Sequence, residues 1–276
     1  MSHAFPRPSD GPVNGPVNGP LYAAAFGDIP ERWPLPPAQD SVQRWLRAVT
    51  AGGQGRYGAA RTELALLRRE APAGPLASLG HSTEASLWRQ LGWHARARGW
   101  DGRALLLAGD DREARTDALV GLAADALGLG RFALSERLLQ QARSEQPTAS
   151  VDRHAVRIAW VSAELAMAQG HPDPALDHAQ RGVALAADGT SVRHRVKSDV
   201  VLAAALCCAG RVPEATALAD GLLARTEAHG LTPLRWAVAS LLLGIGSAVH
   251  TVEQVRLIRD TAADVVGQRG GAWCAR

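Results

Sequence analysis

Eighteen residues of this 276-residue chain, Trp88 to Leu105 in WRQLGWHARARGWDGRAL, hold three tryptophans and four arginines, although aromatic residues make up only 5% of the whole. Indole faces and guanidinium groups attract one another and together recognise apolar, negatively charged partners. That is binding chemistry, and the groups that break bonds are poorly arranged by comparison. HPDPALDH (His171, Asp173, Asp177, His178) has metal-ligating side chains, but its spacing fits no zinc pattern, and proline followed by an acid is an ordinary helix start. GIGSAVH (Gly244 to His250) lacks the second glycine and the strand-turn-helix setting of a nucleophile elbow. GLGRFA (Gly128 to Ala133) lacks the third glycine and preceding strand of a dinucleotide site. Cys207 and Cys208 have no neighbour that would activate a thiolate, so they are expected to be reduced helix residues. No catalytic residue, metal ligand or cofactor is expected, and the chain reads as a non-enzyme.

The elements that would position the tryptophans and arginines are helices. From Ser41 onward apolar residues recur at helical rather than alternating spacing, which excludes a β-rich fold. The apolar content of 46%, charge content of 21% and net charge of +3 describe a globular chain without the concentrated basic patch of a general nucleic-acid binder. No run is apolar for long enough to span a bilayer and no secretory signal opens the chain, so a cytoplasmic location is expected. Residues 1–20, with their repeated Gly-Pro-Val-Asn, are expected to be disordered, and residues 21–40 to form an extended, proline-rich segment packed on the domain through Tyr22, Phe26 and Trp33. A helical repeat domain then fills 41–267, and 268–276 is a tail.

Repeats emerge when the glycines closing successive helical runs are aligned: Gly55, Gly99, Gly130, Gly170 and Gly210, with a weaker unit at Gly246. Seven residues earlier stand Ala48, Gly92, Ala123, Ala163 and Ala203; five later stand Ala60, Ala104, Ser135, Ala175 and Ala215. All are small, as the crossing of two close helices requires, and the glycines supply turns at positive φ. Tyr57 and Phe132, two residues after their glycines, and Pro72 and Pro147 beyond the second helices agree with this frame.

With WRQLG at Trp88, Leu91 and Gly92, followed by Gly99 and Ala104, and with GRYGAA and GRFALS in two other units, the chain resembles the tetratricopeptide repeat family. The resemblance covers roughly residues 41 to 267, and its long intervals look like those of arrays in some bacterial regulators. It implies an all-α, right-handed α-α solenoid of five to six helix pairs with a concave peptide-binding groove. On that basis Trp88 belongs to the packing face. The groove stripe comprises Trp45 and Val49; Arg89, Trp93 and Arg96; Val120, Ala124 and Leu127; Arg157, Trp160, Glu164 and Met167; Lys197, Val200, Ala204 and Cys207; and Trp236, Ser240 and Leu243. The carboxylate clamp of some family members needs asparagine, which is absent after Asn18.

The expected function is a protein-interaction scaffold whose groove binds an acidic partner segment with apolar anchors. The competing reading is a regulatory or sensory module acting through another protein. An RNA-binding array would need a repeated polar base-reading position, which the stripe lacks.

Overall fold

A computed structural model describes residues 19–145 and 153–274. Among them are thirteen α-helices and no strand: α1 (Gly19–Phe26), α2 (Ser41–Gly53), α3 (Tyr57–Glu70), α4 (Pro75–Gln90), α5 (His94–Leu107), α6 (Arg112–Gly128), α7 (Phe132–Glu145), α8 (Arg153–Ala168), α9 (Pro172–Ala187), α10 (Val192–Cys208), α11 (Val212–Ala228), α12 (Thr232–Ile245) and α13 (Val252–Gln268). Helices α2 to α13 form six sequential pairs, each packed on the next, as an all-α solenoid requires. The starts are written locally: Asp40, Asp111 and Ser191 accept from the backbone N–H three residues on, Thr251 forms a capping box with Gln254, and prolines open α4, α9, α11 and α12.

Five pairs turn in the same way. Gly55, Gly92, Gly130, Gly170 and Gly210 all have φ between 71° and 88°. In each case the N–H of the following residue returns to a helix carbonyl five positions back, from Arg56 to Ala51, Trp93 to Trp88, Arg131 to Ala126, His171 to Ala166 and Arg211 to Leu206, at 2.8–3.0 Å. The second turn is therefore at Gly92, and Gly99 lies within α5. With this correction the intervals become 37, 38, 40 and 40 residues. The small positions become Ala85 and Ala97 in the second unit, and all ten small residues of the five units have no exposed surface. Alanine and serine there let the paired backbones meet.

The array curls round until its ends touch. The Gly58 N–H donates to the Arg269 carbonyl at 2.8 Å, the Arg269 guanidinium to the Gln54 carbonyl at 3.1 Å, and the Cys274 N–H to the Leu91 carbonyl at 2.8 Å. Val266 of α13 is buried with Leu64 and Tyr57 in the core of the first repeats. The residues described beyond 268 thus form a strap across the first two repeats rather than a free tail.

Residues 21–40 are not uniformly extended. Pro20 lies in the first turn of α1, where proline is tolerated, and Pro30 beyond its end, so neither interrupts it, and the run Ala23 to Ala25 favours helix. Beyond α1 the chain is extended, with Leu35 buried and Gln54 donating to the carbonyls of Pro30 and Arg32. Residues 1–18 and Pro147 lie outside the described residues. No described helix is long and apolar enough to cross a membrane.

Candidate functional site

The curl leaves a central, partly open cavity of about 500 Å³, lined by the first helices of successive pairs and by Phe26 of α1. Three tryptophans from three of those helices line it: Trp45 of α2, Trp160 of α8 and Trp236 of α12. Two are anchored identically. The Trp45 indole N–H donates to Thr83 Oγ1 at 3.0 Å and that of Trp160 to Ser198 Oγ at 2.8 Å, in both cases to a residue 38 positions on, in the next repeat. Each therefore joins neighbouring repeats as well as lining the cavity. Trp236 instead stacks on Trp273 of the strap, with ring centroids 4.5 Å apart.

The charged groups divide into two sets. Arg89 of α4 enters the wall between Asp101 of α5 and Asp125 of α6; its Nε lies 2.7 Å from Asp125, and Asp101 receives its Nη2. Burial opposes the Arg89 charge, but the two aspartates more than offset it and raise its pKa. The same burial, partly countered by Arg89, pushes the Asp101 carboxyl up to about 8, since two buried carboxylates share one guanidinium. Gly121 makes room for the Asp101 side chain: a Cβ there would stand 2.2–2.5 Å from its carboxylate atoms.

Further along the array α8 contributes Arg153 and Arg157 to the lining and α10 contributes Arg193 and Lys197, each pair one helical turn apart. Asp117 serves both Arg153, at 3.1 Å, and Arg157. Arg153 also reaches Glu113 at 3.2 Å. Among the described residues neither Arg193 nor Lys197 has a carboxylate within 4.0 Å. Arg193 donates to the Ala25 carbonyl at the end of α1, and the Lys197 ammonium lies 4.7 Å from the Trp160 ring centroid. Burial, then repulsion from neighbouring cations, lowers Arg157 and Arg193 to about 10. Burial also lowers Lys197 against the pull of Glu164, and holds His194 neutral with help from Arg193 and Arg153.

Of the stripe residues named from sequence, Trp45, Val49, Arg89, Val120, Ala124, Leu127, Arg157, Trp160, Glu164, Met167, Lys197, Val200, Ala204 and Trp236 line this cavity; Cys207, Ser240 and Leu243 do not. Trp93 and Arg96 also fall outside it, because the turn at Gly92 separates them from α4. Trp93 precedes α5 and donates to the Ala272 carbonyl of the strap at 2.7 Å, while Arg96 is exposed on α5. Trp88 is half-buried rather than core: Arg61 and Arg96 cover its ring at 4.2 and 4.5 Å, and it meets Trp93 edge-on. Sequence reasoning named Phe26 as an anchor of residues 21–40 but missed Arg153, Arg193 and His194. The i, i+4 pairing of Arg153 with Arg157 and of Arg193 with Lys197 was the available signal.

The other chemical candidates stay apart from the cavity. Among the described residues no group of three or more His, Cys, Asp or Glu side chains is placed to hold a metal ion. Cys207 and Cys208 are free thiols. No protein-family profile matches this chain, and no curated protein is similar to it.

Proposed function

We propose that the protein is a non-enzymatic, cytoplasmic recognition module that takes a segment of a partner protein into its central cavity, the segment carrying apolar anchors and acidic side chains. The observation that carries this reading is the convergence of Trp45, Trp160 and Trp236 with Arg157, Arg193 and Lys197 on one cavity. Aromatic surface beside partly desolvated cations has the composition of a binding hot spot. The tetratricopeptide resemblance supports the same use of the concave surface.

A photoreactive side chain at Val200 in the cavity wall should cross-link one contiguous acidic segment of a partner. A probe at Leu106, 73% exposed on α5, should not. Equal adducts from both positions, or adducts from Leu106 alone, would remove the cavity from partner recognition.

Closure of the array favours a second reading, a sensory module for a small effector. About 500 Å³ lies within the range of roughly 300–1,000 Å³ common for small-molecule sites. Native mass spectrometry of the purified chain distinguishes this: a retained low-mass compound supports it, and an unliganded chain that still cross-links its partner does not.

A further inference from the structure

The two walls of the cavity are charged on different terms. Arg89 is matched by two buried aspartates, and Arg153 by Glu113 and Asp117. Arg157 shares Asp117 with Arg153 and feels Asp101 at longer range. Arg193 donates to a backbone carbonyl, and Lys197 has an indole face and the more distant carboxylate of Glu164. Arg153 itself keeps a buried Nε without a hydrogen-bond partner among the described residues. Cations gathered this way repel one another and lose hydration, so the arrangement weakens the folded chain unless something negative joins it.

The chain's own contact with this wall indicates what kind of group that is. Helix α1 brings its carboxyl-terminal end, where unpaired carbonyls carry partial negative charge, against α10. Arg193 donates to the Ala25 carbonyl at 3.2 Å, Thr190 Oγ1 to that of Phe26 at 3.0 Å, and the Val192 N–H to that of Gly27 at 3.0 Å. The Phe26 ring accompanies these oxygens, 5.5 Å from Trp45 and under the Arg153 guanidinium at 5.5 Å. An aromatic body with oxygen acceptors beside it already occupies one end of the cavity. At the other end Lys197 and Arg157 line the cavity beside Trp160 and Trp236, and among the described residues the carboxylate of Glu164 attracts Lys197 there without lying within 4.0 Å of it.

We propose that Arg157, Arg193 and Lys197 form an oxyanion subsite, which receives the carboxylate or phosphate of a ligand whose flat apolar body lies among Trp160, Trp236 and Val200. This rests on the central cavity being the binding site. The oxyanion belongs either to an acidic side chain beside an aromatic residue in a partner segment, or to a free organic anion. In both cases the guanidinium groups supply paired donors and the lysine a point charge. Glu164, on the same wall, disfavours an anion placed towards the α8 carboxyl-terminal end and so directs it to the Arg193 side.

Calorimetric titration of the full chain tests the subsite with four probes: 3-phenylpropionate, its uncharged amide, phenyl phosphate, and a capped dipeptide of glutamate and phenylalanine. The carboxylate should bind at least about tenfold more tightly than the amide, the value of one charge-assisted hydrogen bond. In Lys197→Gln that preference should fall below about threefold, and Lys197→Arg should restore most of it. Lys197 carries no structural ion pair among the described residues, so the glutamine variant should fold; a thermal melt verifies this. Arg157→Gln gives a second reading, independent of α1. Tighter dipeptide than phenyl phosphate binding assigns the oxyanion to a protein partner, and the reverse order to a free effector.

Equal binding of carboxylate and amide, a preference untouched by Lys197→Gln and Arg157→Gln, or no binding by any charged probe at millimolar concentration overturns the subsite. Cross-linking from Val200 in those circumstances keeps the cavity as a protein-binding site without it. Cross-linking from the outer face alone removes both.

Discussion

Arg89 and Lys197 line the same cavity from α4 and α10, and their surroundings differ in kind. Arg89 is clamped between Asp101 and Asp125, neither of which has exposed surface. Lys197 lies over an indole and among other cations. The first arrangement joins α4, α5 and α6, so its charge is consumed in holding three helices together. The second rests on an indole of α8 and on the attraction of Glu164, with no carboxylate within 4.0 Å among the described residues, so its charge is only partly matched. A cation in a cleft indicates function by what it lacks, and within WRQLGWHARARGWDGRAL it is Arg89 whose charge is matched by carboxylates.

The contrast predicts its largest effect at Arg89. Arg89→Ala would leave two buried carboxyls without a cation and should cost about 3–5 kcal/mol in urea unfolding. A loss below about 1 kcal/mol would mean the aspartates find other partners and the clamp is not structural. Trp160→Ala comes next. It empties the contact between α8 and α10 and leaves Ser198, itself fully buried, without the indole N–H, for a loss of about 3 kcal/mol. Trp45→Ala should behave alike through Thr83; a large difference between the two would contradict the shared 38-residue device. Gly121→Ala should cost about 1–3 kcal/mol by driving a methyl group into the Asp101 carboxylate. In an Asp101→Ala background that penalty should largely disappear, a double-mutant cycle that tests the contact itself.

The repeated architecture was legible because its signals are local. Helical periodicity and small residues around turn glycines reported on neighbouring positions, and the groove stripe was what the tetratricopeptide resemblance implied on that frame. The second unit misled for a physical reason. Helix α5 contains Gly99 and Gly102 and alternates arginine with alanine, so it lacks a strong apolar stripe and its interior glycine resembles a turn. The correct turn at Gly92 was marked by Ala85 and Ala97, and by an interval closer to the others. Closure of the array was not legible at all. It depends on contacts such as Gly58 to Arg269, more than two hundred residues apart, which no periodicity encodes. The cation-rich wall was half legible: Arg157 and Lys197 fell on the stripe, but only packing reveals which cations have carboxylates beside them.

The smallest effect should have the opposite sign, and it separates the two walls most sharply. Lys197→Met exchanges a poorly compensated buried ammonium for an apolar chain of similar length, so it should leave stability unchanged or raise it by about 1 kcal/mol. The pH dependence fixes the cause. Burial lowers the folded-state pKa of Lys197 below its ordinary value of 10.5, so between the two values the unfolded chain binds more protons and stability rises with pH. Lys197→Met should lose that rise. Asp101 works the other way: its folded-state pKa is raised from 3.8 to about 8, so the folded chain holds the extra proton and stability falls as pH climbs through that window. Asp101→Asn should flatten this fall and leave the alkaline rise in place. Urea titrations of the three proteins from pH 4 to 10 separate the contributions. If Lys197→Met instead destabilised the chain by as much as Arg89→Ala, the ammonium would be a structural cation like its counterpart on α4, and the distinction between the walls would collapse.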